Sequence, residues 1–344
     1  MTQWHLSEYA LTPGDATPVG PLVKINGVAS ETHHGTIMLT DVYLESLTAW
    51  RWFTLQFSSH VEFVSANALV QPGVPTDELT AQGYLEMSDS KQGAEVSAFR
   101  ALGWTVPSTP NGAIITAVED PSPARTAQLH VADEIVAVNA RAVTSTCSVI
   151  AALHDVAPKT LVHLRIDRAT ISSKGVITWK RASTVALVTS SVPKNLGSSG
   201  CAGVNGPSRS WIGVSLEDGV RYALPATVAI NTANIGGPSA GLAMTLTLID
   251  KMSQSSITGG QPIAATGTID VHGNVGDMGG VAEKTVAVQR GGAKYFIVPQ
   301  VEVSTAERAA SPGLKIIGVT TLAQALRDLR AVGGARAVPL TAPR

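Results

Sequence analysis

Apolar residues beyond residue 210 follow two alternating patterns. Short apolar runs, typical of buried strands, alternate with stretches whose apolar residues recur every three or four positions, as on one face of a helix. The strands predicted in this way lie at 227–230, 295–298 and 316–319, and the helices at 240–252, 281–290 and 321–329. This alternation indicates an α/β domain, which we assign to residues 211–335, with a tail at 336–344.

Residues 101–189 have the pattern of a smaller, β-rich domain. Alternating apolar residues predict strands at 113–118, 133–140 and 161–166. A short helix is expected to begin at Ser122-Pro-Ala, and residues 145–153 have the spacing of an amphipathic helix. A connector rich in Gly, Ser and Pro at 190–210 separates this domain from the α/β domain.

The first hundred residues are predicted to form a separate, strand-rich region. Strands are expected near residues 21–27 and 36–44, and a helix near 76–102. Residues 47–55 fit a short helix or an aromatic strand equally well. No chemical motif is evident in this region. The expected fold class is therefore mixed, with β-rich parts followed by an α/β domain.

Composition limits the class of protein. Among 344 residues, 44% are hydrophobic and 15% are charged, which favours several folded domains over a disordered chain. The 25 Lys and Arg residues against 26 Asp and Glu give a formal net charge of −1. Proteins that mainly bind nucleic acid normally carry a basic excess, so we expect no nucleic-acid partner.

We expect no membrane-spanning segment in the given sequence. The uncharged stretch between Arg221 and Asp250 contains Pro225 and Pro238, which would break a spanning helix. The first fifteen residues lack the basic and apolar regions of a signal peptide. The chain as written is therefore expected to be soluble.

Cys147 and Cys201 are too few for a disulfide scaffold or a zinc cluster. They would form one disulfide in an oxidising compartment, and two separate, partly buried thiols are the alternative that we favour. No HExxH sequence occurs, and His33-His34 has no metal-binding partner nearby in sequence. We therefore expect neither a metal nor another cofactor.

The sequence Gly236-Gly-Pro-Ser-Ala-Gly predicts that Ser239 lies at the N-terminus of a helix. Unpaired backbone N–H groups at such a terminus, here near Gly237 and Ala240, can stabilise a developing anion. A serine in this position suits a nucleophile beside an oxyanion hole. The motif alone also fits a simple helix cap.

Lys284 is a candidate general base for this serine. In the helix predicted at 281–290, it lies toward the apolar side that Val281 and Val288 share. Burial disfavours the charged form of an amine, and a neutral amine can accept a proton from a hydroxyl. The alternative is a lysine that covers apolar surface and keeps its ammonium group in water.

The run G-G-P-S-A-G, followed by T-G-T-I-D-V-H-G-N-V-G-D-M-G-G-V-A-E-K, resembles the proteolytic domain of Lon-type serine peptidases. The resemblance covers about residues 210–330. It implies that Ser239 is the nucleophile, that Lys284 is its general base, and that Thr266 supports the pair. Many Lon proteases have an acidic residue three positions before the serine, where this chain has Gly236.

The upstream domain resembles a PDZ domain in three sequence motifs, G-A-I-I-x-x-V, S-P-A-x-x-A-x-L and D-x-I-x-x-V-N. In that family an extended peptide adds to the sheet as a strand. The resemblance implies a peptide groove along Ala113, Ile114 and Ile115, beside the helix that begins near Ser145. A small β-barrel that binds no peptide is the alternative.

Together, the two resemblances imply a PDZ-containing Lon-like endopeptidase of the bacterial membrane-anchored type. Its partners would be polypeptide substrates and further copies of itself in a homo-oligomer. Membrane attachment would need an anchor that this sequence does not contain, so the expected location is the extracytoplasmic face of the membrane, with the cytoplasm as the alternative. The alternative function is a catalytically inactive peptide-binding scaffold.

An ATP-driven activity is not expected. The run from Gly279 to Thr285 superficially resembles a phosphate-binding loop, but Glu283 stands where that loop needs a glycine before its lysine.

Overall fold

The computed structural model describes residues 5–58, 60–65, 75–194, 200–202, 204, 209–233, 235–277 and 279–343. Two compact units make up the chain. The first comprises Met1–Pro72, Glu86–Val106 and Leu224–Arg344, and the second comprises Gly73–Leu85 and Pro107–Ala223. The mixed α/β and β-rich fold class is confirmed, but the units do not follow the predicted domain boundaries.

Strands and helices are numbered here in chain order within the described residues. The strands are β1 His5–Pro18, β2 Val23–Asn26, β3 Thr36–Thr48, β4 Glu62–Ser65, β5 Ser108–Val118, β6 Glu134–Val138, β7 Arg141–Ala142, β8 Leu161–Ile171, β9 Ile177–Val188, β10 Ser190–Ser191, β11 Ser210–Trp211, β12 Val214–Tyr222, β13 Thr227–Ile230, β14 Pro262–Ala265, β15 Thr268–Ile269, β16 Val275–Gly276, β17 Tyr295–Pro299 and β18 Lys315–Val319. The helices are α1 Ala49–Leu55, α2 Thr76–Ala101, α3 Pro123–Thr126, α4 Thr146–His154, α5 Gly241–Met252, α6 Val281–Arg290, α7 Val303–Ala309 and α8 Leu322–Ala331. The predicted elements of the α/β region are present, with ends that differ by at most two residues.

The first unit is built on a six-stranded sheet in the order β18-β17-β14-β3-β1-β4. β14 runs parallel to both β17 and β3, whereas β1 is antiparallel to β3 and β4. Apolar side chains from β14 and β17 pack with Val281 and Val288 of α6 in one buried cluster. The apolar stripe predicted on α6 therefore faces the sheet.

The N-terminal strands belong to this sheet, which corrects the predicted separate region at 1–100. The residues Thr36–Met38 of β3 pair with Pro262–Ala264 of β14, more than two hundred residues later in the chain. Residues 49–55 form a helix and not a strand, because the Thr48 hydroxyl accepts a hydrogen bond from Arg51 N and caps it. The predicted tail also joins the first unit, since Leu340 N donates to Met252 O.

The second unit contains an antiparallel sheet in the order β12-β5-β6-β8-β9, with β7 paired to β6. Helix α4 packs against it and begins with a capping box formed by Ser145 and Ser148. β12 lies beyond the connector in sequence but pairs along β5, from Val214 opposite Val118 to Tyr222 opposite Ser108. The predicted boundary at residue 211 is therefore wrong, because residues 210–223 belong to this unit.

A disulfide joins Cys147 of α4 to Cys201 in the connector, with Cα atoms 5.5 Å apart. This separation lies within the normal range for a disulfide. Our preference for two separate thiols was wrong, since the spacing of 54 residues says nothing about distance in the fold. Among the described helices, none is both long and apolar enough to span a bilayer.

The second half of α2 belongs to the first unit, and its Gly93 lies close against the backbone of β15. A Cβ atom at this position would overlap the backbone carbonyl oxygen of Ile269 in β15. Three residues earlier, the Ser90 hydroxyl donates to Pro238 O over 2.9 Å. This helix therefore supports the segment that carries Ser239.

We expect Gly93→Ala to destabilise the protein by about 1–3 kcal/mol, because the added methyl group cannot fit without moving the backbone. The higher helix propensity of alanine, worth about 1 kcal/mol, acts in the opposite direction but is smaller. Urea unfolding measures the difference. The exposed Glu86 on the same helix provides the control Glu86→Ala, which should cost little. A Gly93→Ala variant more stable than the parent would contradict the observed packing.

Candidate active site

Ser239 lies in a turn immediately before α5 begins at Gly241. Gly237, two residues earlier, has a φ of +84°, a conformation that residues with a Cβ atom rarely adopt. A Cβ atom at Gly237 would meet nothing within 4 Å, so the backbone conformation and not space requires glycine there. Gly237 therefore allows the backbone to enter the turn that contains Ser239.

The backbone of Ser239 is hydrogen-bonded to the segment that directly follows β14. Its carbonyl oxygen accepts a hydrogen bond from Gly267 N at 2.9 Å and a longer one from Thr266 Oγ1 at 3.4 Å. Thr266 is 1% exposed. The structure thus brings Thr266 to Ser239, where it fixes the main chain of the serine.

Two backbone amides are available beside Ser239. The N–H groups of Ser239 and Ala240 donate to no backbone carbonyl in the described ranges, whereas Gly241 N donates to Pro238 O. Unpaired N–H groups at the start of a helix attract negative charge. These two amides are suited to stabilise an oxyanion at this point.

Lys284 lies in the first turns of α6 and is 4% exposed. Its side chain emerges on the face that Val281 and Val288 bury against the sheet. The Nζ atom donates to Gly279 O over 3.1 Å. The helix therefore buries the amine, and one backbone carbonyl is its hydrogen-bond partner among the described residues.

Burial lowers the pKa of Lys284 below the ordinary value of 10.5. The carboxylates of Glu302, Glu283 and Asp41 favour the ammonium form and oppose this effect, but desolvation is the larger influence. No carboxylate in the described chain lies within 4.0 Å of Nζ as an ion pair. A neutral amine is consequently easier to form here than in water.

Ser239 and Lys284 line the same cavity, which has a volume of about 450 Å³. Besides this pair, its walls consist of the Ser239 segment, one stretch of β3 and one residue of α2, namely Thr40, Asp41, Val42, Tyr43, Met87, Ile235, Gly236, Gly237, Pro238 and Ala240. The predicted residues Ser239, Lys284, Gly237, Ala240 and, behind them, Thr266 therefore meet at one place. The described residues contain no group of three or more side chains placed to hold a metal ion.

Four residues of this cavity come from β3, a region in which sequence analysis found no chemistry. Asp41 Oδ1 accepts a hydrogen bond from Asp15 N at 2.6 Å, and Tyr43 donates to the Asp15 carboxylate. Burial raises the pKa of Asp41, while the hydrogen bond from Asp15 N lowers it and the charge of the Asp15 carboxylate, a smaller influence, raises it. No local motif marks these residues, because β3 reaches the site only through its pairing with β14.

The predicted peptide groove along Ala113, Ile114 and Ile115 is not open in the structure. These residues lie in β5, which pairs with β12 on one side and with β6 on the other. An added strand has no free edge there, so this prediction is corrected. β12 and β9 are the two outer strands of this order, and α4 lies beside β12, where Thr146 N donates to Asp218 Oδ1 at 2.7 Å.

The sequence contains the strand pattern of β12, but the predicted boundary at residue 211 places it in the α/β domain. Residues 214–222 follow the connector and alternate in character, as a half-exposed strand does. Strands that pair across a long sequence separation leave no local pattern, so the sequence indicates a domain boundary at the connector and not the pairing of β12 with β5.

Two family models match separate parts of the chain. Residues 230–329 match the Lon protease (S16) C-terminal proteolytic domain, and residues 100–175 match a PDZ domain. Both resemblances recognised from sequence motifs are thereby confirmed.

Curated relatives match short stretches of the chain. The Lon protease of Treponema pallidum is 42% identical over 67 residues, which cover 20% of this chain and 7% of that protein. The Lon protease of Rickettsia felis is 34% identical over 94 residues, covering 26% of this chain and 12% of that protein. The chain thus spans a small part of the length of these relatives.

A similar solved structure is the PDZ domain of the SdrC-like protein from Listeria monocytogenes. It is 18% identical, covers 31% of this chain and 90% of its own, and has a TM-score of 0.24.

We expect Lys284→Met to raise the thermal unfolding midpoint at pH 7. The folded state binds the proton of Lys284 less tightly than the unfolded state does, so stability rises with pH between the lowered pKa and 10.5. The gain from removing the amine should accordingly shrink as the pH approaches 10.5. Differential scanning calorimetry at several pH values measures it, with the exposed Lys24→Met as control. An equal gain at all pH values would contradict a desolvated amine.

Proposed function

We propose that this chain is a serine endopeptidase that cleaves unfolded or flexible polypeptide segments without ATP. The observation that carries the proposal is the shared cavity of Ser239 and a buried Lys284. Two residues from separate elements, with the chemistry of a nucleophile and a base, line one cavity. The match of residues 230–329 to a Lon proteolytic domain supports the same reaction class.

The reaction begins when the neutral amine of Lys284 accepts the proton of the Ser239 hydroxyl. The Oγ atom attacks the scissile carbonyl carbon and forms a tetrahedral intermediate with a negative oxygen. As the C–N bond breaks, the Lys284 ammonium returns the proton to the leaving amine. A water molecule, deprotonated by the same amine, then hydrolyses the acyl-enzyme ester and regenerates Ser239.

The backbone around Ser239 would stabilise the tetrahedral intermediate. The amides of Ser239 and Ala240 are unpaired in the described structure, and they precede the positive end of α5. Since Gly267 N and Ser90 Oγ hold this turn in place, these donors need little rearrangement when charge develops on the oxygen.

The absence of an ATP-binding motif supports independence from ATP. The sequence contains no G-x-x-x-x-G-K-S/T motif, and Glu283 before Lys284 would direct a carboxylate toward a bound phosphate. Without an ATP-driven unfolding step, the substrates would be segments that are already extended and accessible.

The PDZ-like unit would recruit or gate these substrates. Because β5 is paired on both sides, we now assign the peptide site to β12, which stands at one end of the strand order and has α4 beside it. A peptide bound there would gain main-chain hydrogen bonds along the strand.

We also propose an extracytoplasmic location. The Cys147–Cys201 disulfide is of a kind that persists in oxidising compartments and is rare where thiols are kept reduced.

The decisive test uses a fluorophosphonate probe and an unfolded protein substrate. We expect Ser239→Ala to abolish both labelling and cleavage. Lys284→Arg should reduce turnover by at least a thousandfold with retention of the fold, because a guanidinium cannot act as a base near neutral pH. Circular dichroism controls for folding. If the parent shows neither labelling nor cleavage that depends on Ser239, the proposal is refuted and a peptide-binding scaffold is favoured.

The pH dependence of kcat/KM should report on Lys284. Only the neutral amine accepts a proton, so activity should fall with decreasing pH along a limb that reflects one ionisation. Because burial lowers the pKa of Lys284, this limb should lie below pH 10.5. Initial rates measured from pH 5 to 10.5 give its position, with folding monitored at each pH. A midpoint at or above 10.5 would contradict a desolvated general base.

A further inference from the structure

The hydroxyl group of Thr40 is buried in the catalytic cavity without a hydrogen-bond partner. Thr40 is 2% exposed, and its Oγ1 atom makes no hydrogen bond in the described structure. Buried polar atoms are nearly always paired, so an unpaired hydroxyl at a reactive site calls for a partner that the resting conformation does not supply. The cavity wall that Thr40 forms also contains Ser239 and Lys284.

The side chain of Thr40 lies on the sheet face that α6 covers. Successive residues of a strand alternate between faces, so Met38, Thr40 and Val42 share one side of β3. Met38 packs with Val281 and Val288 in the buried cluster, and a Cβ atom at Gly280 would contact the Val42 side chain. Thr40 therefore faces the helix that carries Lys284.

The amine of Lys284 can make more hydrogen bonds than the one observed. A neutral amine carries two N–H bonds and one lone pair, and within the described residues only the bond to Gly279 O at 3.1 Å is present. If a second N–H is also held, the direction of the lone pair is fixed. Thr40 Oγ1 is an unpaired acceptor in the same cavity.

We propose that Thr40 is a positioning residue for the general base. Its hydroxyl oxygen accepts a hydrogen bond from the Lys284 amine, which together with Gly279 O directs the amine lone pair toward Ser239 Oγ. This inference rests on the proposed peptidase function. It adds a residue from β3 that acts through Lys284 and does not contact the scissile bond.

Other charged groups around Lys284 would remain unchanged when the hydroxyl is removed. They are Asp41 on β3, Glu283 on α6 and Glu302 at the turn after β17. A difference between the parent and a Thr40 variant therefore reports on the hydroxyl itself.

Thr40→Val removes the hydroxyl and keeps the shape of the side chain. We expect kcat to fall about tenfold with KM nearly unchanged, because an amine held by one hydrogen bond is less often aligned for proton transfer. The acid limb of the pH profile should move to lower pH, since the ammonium form loses an acceptor. Thr40→Ser should restore both values to near those of the parent.

Ser253→Ala is the matched control. Ser253 is fully buried, and its hydroxyl also has no partner among the residues that the structure describes, but it does not line the cavity of Ser239 and Lys284. Its removal should leave kcat, KM and the pH profile unchanged. An unchanged Thr40→Val enzyme would overturn the proposal, and so would a higher KM with an unchanged pH limb, which would indicate a substrate contact.

A second measurement does not depend on turnover. In protein labelled with ¹³C at lysine Cε, the Lys284 resonance can be assigned by comparison with Lys284→Arg and titrated by NMR. The Lys284 midpoint should be lower in Thr40→Val than in the parent, and equal midpoints would overturn the proposal. If the midpoints differ but no cleavage depends on Ser239, the contact stands and the proposed function fails.

Discussion

Burial of the Lys284 amine is the constraint on which the site depends. An amine in an apolar environment disfavours its own charge, and only tight packing around it can keep water away. Val281 and Val288 provide that packing by holding α6 against the sheet, and the 4% exposure of Lys284 is the result. A looser contact between this helix and the sheet would return the amine to solvent and to its ordinary pKa.

The serine is held by different means. Ser239 lies in a turn whose carbonyl groups are bound on two sides, by Ser90 of α2 at Pro238 O and by Gly267 at Ser239 O. These contacts involve backbone atoms, so the side chain remains available to the cavity. One residue is thus positioned by a helix packed on its apolar face, and the other by hydrogen bonds to its main chain.

The parts of the site that could be predicted from sequence are those encoded in short, contiguous segments. Ser239 and Lys284 each lie in a local motif, and the apolar spacing of residues 281–290 correctly indicated which side of α6 faces inward. Thr40 and Asp41 had no such signal, because they enter the site through pairing of β3 with a strand more than two hundred residues away. The disulfide and the strand β12 escaped prediction for the same reason, since both are contacts across a long sequence separation.

Because β12 belongs to the second unit, residues 107–223 of that unit are inserted in sequence between two segments of the first unit. The chain enters it at Pro107 and leaves it at Ala223, and Ala223 N donates to Pro107 O over 2.9 Å. Insertions with adjacent ends can be gained or lost without pulling apart the host fold. A gene rearrangement that exchanged residues 107–223 as a block would therefore replace most of the second unit and leave the elements around Ser239 and Lys284 in place, whereas a break at residue 190 or 211 would separate β12 from its sheet.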